Sequence, residues 1–169
     1  SYRESCGLDK ESVTIAQAQT PWRDDAYDVA IDCRVDTRLS ERERHYETTA
    51  RTIVELISHN AGAPIAVFFA SYLYAENIQA YIDALAPGLC IERQPHGVNL
   101  TEQSTFIDEG LLIADALFLI LGSSYAEGID QLGGRVEQIM IVGPALPEVN
   151  LVQKKKMEDH PSLSQDEAF

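Results

Sequence analysis

Residues 116–130, ALFLILGSSYAEGID, constrain this chain more than any other stretch. An apolar run from Ala116 to Leu121 breaks at Gly122 into small polar residues. It then reaches an acidic-glycine turn, Glu127-Gly128-Ile129-Asp130. A buried strand that feeds a polar loop belongs to a parallel α/β sheet, whose sites lie beyond the carboxyl ends of the strands. A second run of this kind, residues 64–69 (PIAVFF), opens into Ala70-Ser71-Tyr72. In one parallel sheet both loops must emerge on the same edge.

Around these runs, strand and helix patterns alternate from residue 40 to about 157. Residues 13–18 (VTIAQA) read as a short strand that Pro21 closes off. Tyr27, Val29, Ile31, Cys33 and Val35 alternate as in a half-buried strand. Ser40 and Glu43 are spaced as a capping box. The helix after it carries Tyr46, Ala50, Ile53, Val54 and Ile57 on one face and stops at Asn60 and Gly62. A second helix places Tyr74, Ile78, Tyr81, Ile82 and Leu85 at helical spacing and ends at Pro87-Gly88. Residues 89–93 (LCIER) read as a strand, and Asn99 and Thr101 sit where the cap of a helix over 102–112 belongs. Residues 138–143 (QIMIVG) read as one more strand, and Pro147 opens a last helix to about Met157. This order predicts an α/β fold with a mainly parallel sheet and right-handed crossovers.

The 169 residues, 45% of them hydrophobic, suffice for one domain with a sizeable core. No apolar run approaches the roughly 20 residues of a membrane span, and no signal peptide opens the chain. Cys6, Cys33 and Cys90 stand alone, which argues against structural zinc or a disulfide framework and fits a cytosolic compartment. His45, His59, His96 and His160 show no metal-ligand spacing and read as surface or loop residues. A formal net charge of −14 argues against bulk charge-driven adhesion to nucleic acid or anionic membrane. Arg34, Arg38, Arg42, Arg44 and Arg51 cluster in sequence, as do Lys154, Lys155 and Lys156, and both groups read as solvated faces.

The two loops carry whatever chemistry the fold offers. Ser71, Tyr72, Gly122, Ser123, Ser124 and Tyr125 bring hydroxyls and backbone amides near a helix start or turn, groups that suit phosphate oxygens. Glu127 and Asp130, three apart, suit a metal-bound nucleotide or the transmission of its state. A hydrolase reading competes. Gly122-Ser123-Ser124-Tyr125-Ala126 approaches the G-x-S-x-G elbow, with Ser124 as nucleophile and Asp130 or Asp159 and His160 as partners. The elbow should run into a helix, whereas Glu127-Gly128-Ile129-Asp130 makes another turn. No G-x-x-x-x-G-K-[ST] phosphate cradle and no G-x-G-x-x-G fingerprint is present.

In order along the chain, these motifs resemble one family. GSSYAEGIDQLGG, from Gly122, resembles motif V of superfamily 2 helicases, in the S-x-x-E-G-I-D form of the XPD/DinG-type DNA helicases. FFASY, from Phe68 to Tyr72, resembles their motif IV. SERERHY, from Ser40 to Tyr46, resembles the S-x-R-x-x-x-Y opening of the first helix of their second motor domain. IVGPALP, from Ile141 to Pro147, resembles the G-x-P-x-P stretch after motif V with altered spacing. ESCGLD and QTPW in the first 22 residues resemble the lead-in to that domain.

The resemblance implies a three-layer RecA-like second motor domain over residues 40–169, behind an N-terminal arm with lead-in strands over 1–39. It would belong to an ATP-dependent DNA helicase that moves 5′ to 3′ on single-stranded DNA, with a role in DNA repair, in the cytoplasm of a prokaryote or a eukaryotic nucleus. Ser71, Tyr72, Gly122, Ser123, Ser124 and Tyr125 would touch the DNA, while Glu127, Gly128 and Asp130 would face the nucleotide cleft. ATP and Mg2+ would be shared with a first motor domain, which would also hold the family's iron–sulfur cluster. The lysine loop, the D-E-x-H box and motif VI are not found in these residues; Gly133-Gly134-Arg135 is not motif VI. The expectation is therefore an incomplete sheet at the C-terminus and no ATP hydrolysis by this segment alone. A non-catalytic acidic module that recruits protein partners, repair proteins among them, is the alternative from another class.

Overall fold

A computed structural model describes residues 26–60, 62–97, 99–123 and 129–144. The chain divides between Asp32 and Cys33 into two units. In the first, residues 26–32 form no strand, and Tyr27, Val29 and Ile31 are largely exposed. The half-buried strand expected over 27–35 is therefore not formed. Alternation decides which side chains would share a face, but a strand also needs a neighbour's ladder and an apolar surface to cover. The strand expected over 13–18 and the helix expected from Pro147 lie outside the described residues.

Two five-residue runs of apolar side chains cannot be hidden by a sheet with one wet face. They become β1 (Ile65–Phe69) and β3 (Ala116–Ile120), buried at every position in the middle of the sheet of the second unit. β2 (Ile91–Arg93) pairs with β3 and β4 (Ile139–Val142) with β1, giving the order β2-β3-β1-β4. All three pairings are parallel. This is the α/β class with a parallel sheet that the alternation predicts, and it is compatible with a RecA-like domain.

Helices cover both faces. α1 (Tyr46–His59) and α2 (Tyr72–Leu85) pack on Ile65, Val67, Phe69, Ala116, Phe118 and Ile120. The cluster is rich in rings: Phe69 lies 4.7 Å from Phe118 and 5.7 Å from Tyr74, and Tyr74 lies 5.5 Å from Tyr46. Fully burying such a side chain contributes about 1.5–3 kcal/mol, so this face dominates the core. Within α2, Tyr74, Ala75, Ile78 and Ile82 are buried, whereas Tyr81 and Leu85 sit at the exposed margin of the stripe.

α3 (Leu100–Ile113) and the short 3-10 turn Ile129–Leu132 belong to the other face. Ile107, Ala114 and Leu132 pack there with Ala66, Phe68, Leu117 and Leu119. Gly110 lets α3 approach β3. A Cβ there would stand 2.6 Å from Leu117 Cδ2, and Leu117 is fully buried.

Local signals set the helix ends in two cases and fail in one. Asn99 accepts from the Glu102 amide at 3.0 Å while Glu102 accepts from the Asn99 amide at 2.9 Å, a complete capping box. Asn60 caps α1 with its backbone amide, which donates to the Ile57 carbonyl at 3.1 Å, while its side chain donates to the Ala63 carbonyl at 2.8 Å and Gly62 follows at φ 88°. The box expected at Ser40 and Glu43 does not form. The chain instead makes a 3-10 turn, Arg42–His45, before α1, with no side-chain cap. The Arg38 carbonyl accepts from the amides of Glu41 and Arg42, and the residue that precedes the 3-10 turn is Glu41 rather than Ser40.

No helix of the described residues is long and apolar enough to cross a membrane.

Candidate functional site

The strand order singles out one place on the sheet. From β1 the chain crosses past β3 to β2, carrying α2 over one face. From β3 it crosses in the opposite direction past β1 to β4, by way of the 3-10 turn packed on the other face. β1 and β3 are hydrogen-bonded neighbours, so their outgoing loops part to opposite sides of the sheet. Such a parting opens a crevice at the carboxyl ends of the two strands, where open α/β sheets bind ligands.

The loop after β1 holds Ala70 and Ser71 and enters α2 at Tyr72. Ser71 has extended backbone, and its Oγ accepts from the Tyr74 amide at 3.3 Å. That bond occupies one acceptor site of Oγ and leaves the hydroxyl proton to donate. The first amides of α2 thus face the crevice end of the helix, where the helix dipole favours an anion.

The loop after β3 turns at Gly122, whose φ of 72° suits glycine, and brings Ser123 back over the strand end. Ser123 Oγ donates to the Ile120 carbonyl at 2.6 Å and stands 3.2 Å from Gln94 Oε1. β4 leaves the same edge at Gly143, with φ 85°. A Cβ on Gly143 would meet Thr37 Cβ at 3.3 Å, so the segment before α1 also closes on this edge.

Between the two loops stands a residue that no motif announces. Gln94 follows β2, and its amide continues the ladder to the Phe118 carbonyl at 2.9 Å. The backbone ladder ends there, because the next β3 amide, that of Ile120, bonds to the Gln94 side chain. The Gln94 side chain, 2% exposed, then takes over. Its Oε1 accepts from the Ile120 amide at 2.9 Å, and its Nε2 donates to the Tyr72 hydroxyl at 2.7 Å. The Tyr72 ring in turn stacks on His96 with centroids 3.6 Å apart. One buried amide therefore ties together the loops after β1, β2 and β3.

Ser71, Tyr72, Gly122 and Ser123, four of the six residues expected to touch a strand, share this edge. Ser124 and Tyr125, the other two, lie outside the described residues, as do Glu127 and Gly128 of the expected nucleotide cleft. Of Asp130 the backbone is described, inside the turn Ile129–Leu132. The alternative catalytic set of Ser124, Asp159 and His160 lies outside them as well.

The signal for Gln94 was its position. It follows β2, a strand of the same parallel sheet, and must emerge on the edge that the two motif loops occupy. His96 fits its reading as a loop histidine, since it is exposed; its stacking partner follows only from the fold.

The clustered arginines are engaged with acids and with each other's helix. Arg38 pairs with Asp36, Arg44 with Glu41 at 3.0 Å and Arg51 with Glu47 at 2.7 Å. Arg34 donates to Thr52 Oγ1 at 2.9 Å, and Arg42 lies over the Tyr74 ring at 4.7 Å. They form partnered faces rather than a basic groove. Among the described residues, no group of three or more His, Cys, Asp or Glu side chains is arranged to hold a metal ion. The sequence matches no protein-family model and no curated protein.

Proposed function

We propose that residues 40–169 form the second, C-terminal motor domain of an ATP-dependent 5′–3′ DNA helicase of the XPD/DinG type. The observation that carries this reading is the adjacency of β1 and β3. It puts the motif IV-like FFASY loop and the motif V-like loop from Gly122 on one edge, flanking the crevice where strand direction switches. A strand of DNA laid across that edge would meet the Ser71 hydroxyl, the first amides of α2 and the Gly122-Ser123 turn. These groups read phosphate and sugar and carry no base identity, as translocation requires.

The same supports limit what this domain does by itself. Nothing in the described residues cradles a triphosphate, and no acidic cluster among them holds Mg2+. The nucleotide would sit against a first motor domain, its magnesium carried by its own phosphates. ATP supplies the hydrolysis that drives closure. From this chain, Glu127, Gly128 and Asp130 would sense that event across the cleft, and the turn Ile129–Leu132 would carry it. Leu132 is buried against the sheet face below, so a shift of this turn is felt at the β3 end.

DNA-stimulated ATP turnover tests the reading, measured on a chain that carries this domain together with a first motor domain. Turnover should rise with single-stranded DNA and fall at least ~10-fold in Asp130→Ala while DNA affinity holds, the equivalent of about 1.4 kcal/mol at the transition state. Full activity in the variant removes Asp130 from the coupling cleft. Absence of DNA stimulation in the parent sinks the helicase reading.

One observation favours a second reading, an acidic protein-recruiting module. The arginine cluster is internally partnered under a net charge of −14, which leaves the surface acidic. A salt-insensitive complex with a protein, in place of salt-sensitive DNA binding, would favour it.

A further inference from the structure

Gln94 belongs to none of the motifs that suggest a helicase, yet its side chain meets Tyr72, Ile120 and Ser123 at the crevice. The Ile120 amide can only donate, so the Gln94 oxygen must face it. That orientation fixes the Gln94 NH2 toward Tyr72, whose oxygen therefore accepts. Ser123 Oγ lies within 3.2 Å of the same Gln94 oxygen. The Tyr72 hydroxyl has the Pro95 carbonyl 3.5 Å away for its own proton, and its ring is stacked on His96. The amide is buried, so water does not compete for these bonds.

We propose that Gln94 is a positioning residue, a latch that makes the loop after β1 and the loop after β3 move as one body. The Tyr72–His96 stack is the outer end of the latch and the Ile120 amide the inner end, with Ser123 Oγ beside it. In the helicase reading, on which the functional half of this proposal rests, a change in the motif V-like loop reaches the strand-contacting Tyr72 through Gln94. The sheet joins the two strand ends by the Leu121 amide, which donates to the Phe69 carbonyl at 2.9 Å, but that bond does not reach Tyr72. β1 and β3 pair along their length, but their outgoing loops part to opposite faces and share no other side-chain hydrogen bond among the described residues.

The test uses NMR of this chain without ligand, followed by titration with (dT)12. Two variants cut the latch at different points. Tyr72→Phe keeps the ring on His96 and removes the hydroxyl. Gln94→Met keeps the side-chain length and removes both polar ends. In Gln94→Met the Ile120 amide should exchange about tenfold faster or more, and the His96 ring protons should lose their upfield ring-current shift. In Tyr72→Phe the fold is retained, and the Ser123 and Ile120 amides should still shift, although neither touches Tyr72 directly. On titration of the parent, signals of His96 and the buried Ile120 amide should move together. In Tyr72→Phe, His96 should respond and the Ile120 amide should not.

Unchanged Ser123 and Ile120 signals in Tyr72→Phe would overturn the latch, whatever Gln94→Met does to folding. Equal responses of His96 and the Ile120 amide to (dT)12 in parent and variant would overturn it as well. If the ligand-free variants behave as expected and (dT)12 does not bind the parent, the latch stands and the nucleic-acid reading falls.

Discussion

Asp36 shows how a single contact sets the chemistry of an exposed group. Arg38 donates to it from Nε at 3.0 Å and from its own amide at 3.0 Å, and these bonds hold the Asp36 carboxyl down at about 2, from an ordinary 3.8. A carboxylate depressed in the folded state contributes stability that is complete above its unfolded value. That contribution fades as pH falls from about 3.8 through about 2. The carboxyl carbon of Asp36, followed by NMR, should therefore titrate near pH 2, and Asp36→Asn should flatten the acid limb of the unfolding curve over that window. A titration near 4 would show the pair open in solution. Gly110 makes a different point at the same scale. A glycine inside a helix costs about 1 kcal/mol of propensity, and the cost is offset here by the space it leaves Leu117 against β3. Periodicity cannot reveal that role, because the residue that needs the space belongs to another element.

At the scale of elements, two capping boxes written in the same code met different fates. Asn99 has the extended backbone of a cap, and its reciprocal bonds with Glu102 start α3. Ser40 sits in a turn closed by the Arg38 carbonyl, and the 3-10 turn after it starts from Glu41 in helical backbone with no side-chain cap, so Ser40 does not stand at a cap position. Asn99→Ala should cost about 1 kcal/mol in a urea titration, and Asn99→Asp almost nothing. A loss below about 0.3 kcal/mol would mean that α3 is held by its packing on Leu117 and Leu119 rather than by its cap. The arginines of residues 34–51 follow the same lesson. They look like a cationic cluster in sequence. On the helix and turn, Glu41, Glu47 and Asp36 come within reach and neutralise them locally.

Among the described residues of the second unit, the sheet order leaves β4 at an edge with only part of its surface covered. Met140 and Val142 join the core under α1 and α2, whereas Ile139 and Ile141 share the face of Ala66 and Phe68 and remain more than half exposed. Exposed apolar edge strands template association unless charge blocks them. Ile141→Lys should leave unfolding stability within about 0.5 kcal/mol of the parent and reduce concentration-dependent self-association seen by light scattering. A loss above about 2 kcal/mol would show that Ile141 is covered in solution.

The sequence by itself determined the class of fold and its central elements. Residues 65–69 and 116–120 are apolar without a break, and only a sheet sheltered on both faces can bury them. The intervening helical periodicities made the sheet parallel and put the two hydroxyl-bearing loops on one edge. Only the tertiary structure decided that β1 and β3 are neighbours, that their loops part at a crevice, and that Gln94 bridges them. Those outcomes depend on which strands pair and which face each crossover takes. Contacts such as Ile120 to Gln94, 26 residues apart, have no local pattern to announce them. The same reason explains the alternating residues 27–35. Alternation is local and legible, whereas a partner strand is a fact of the whole chain.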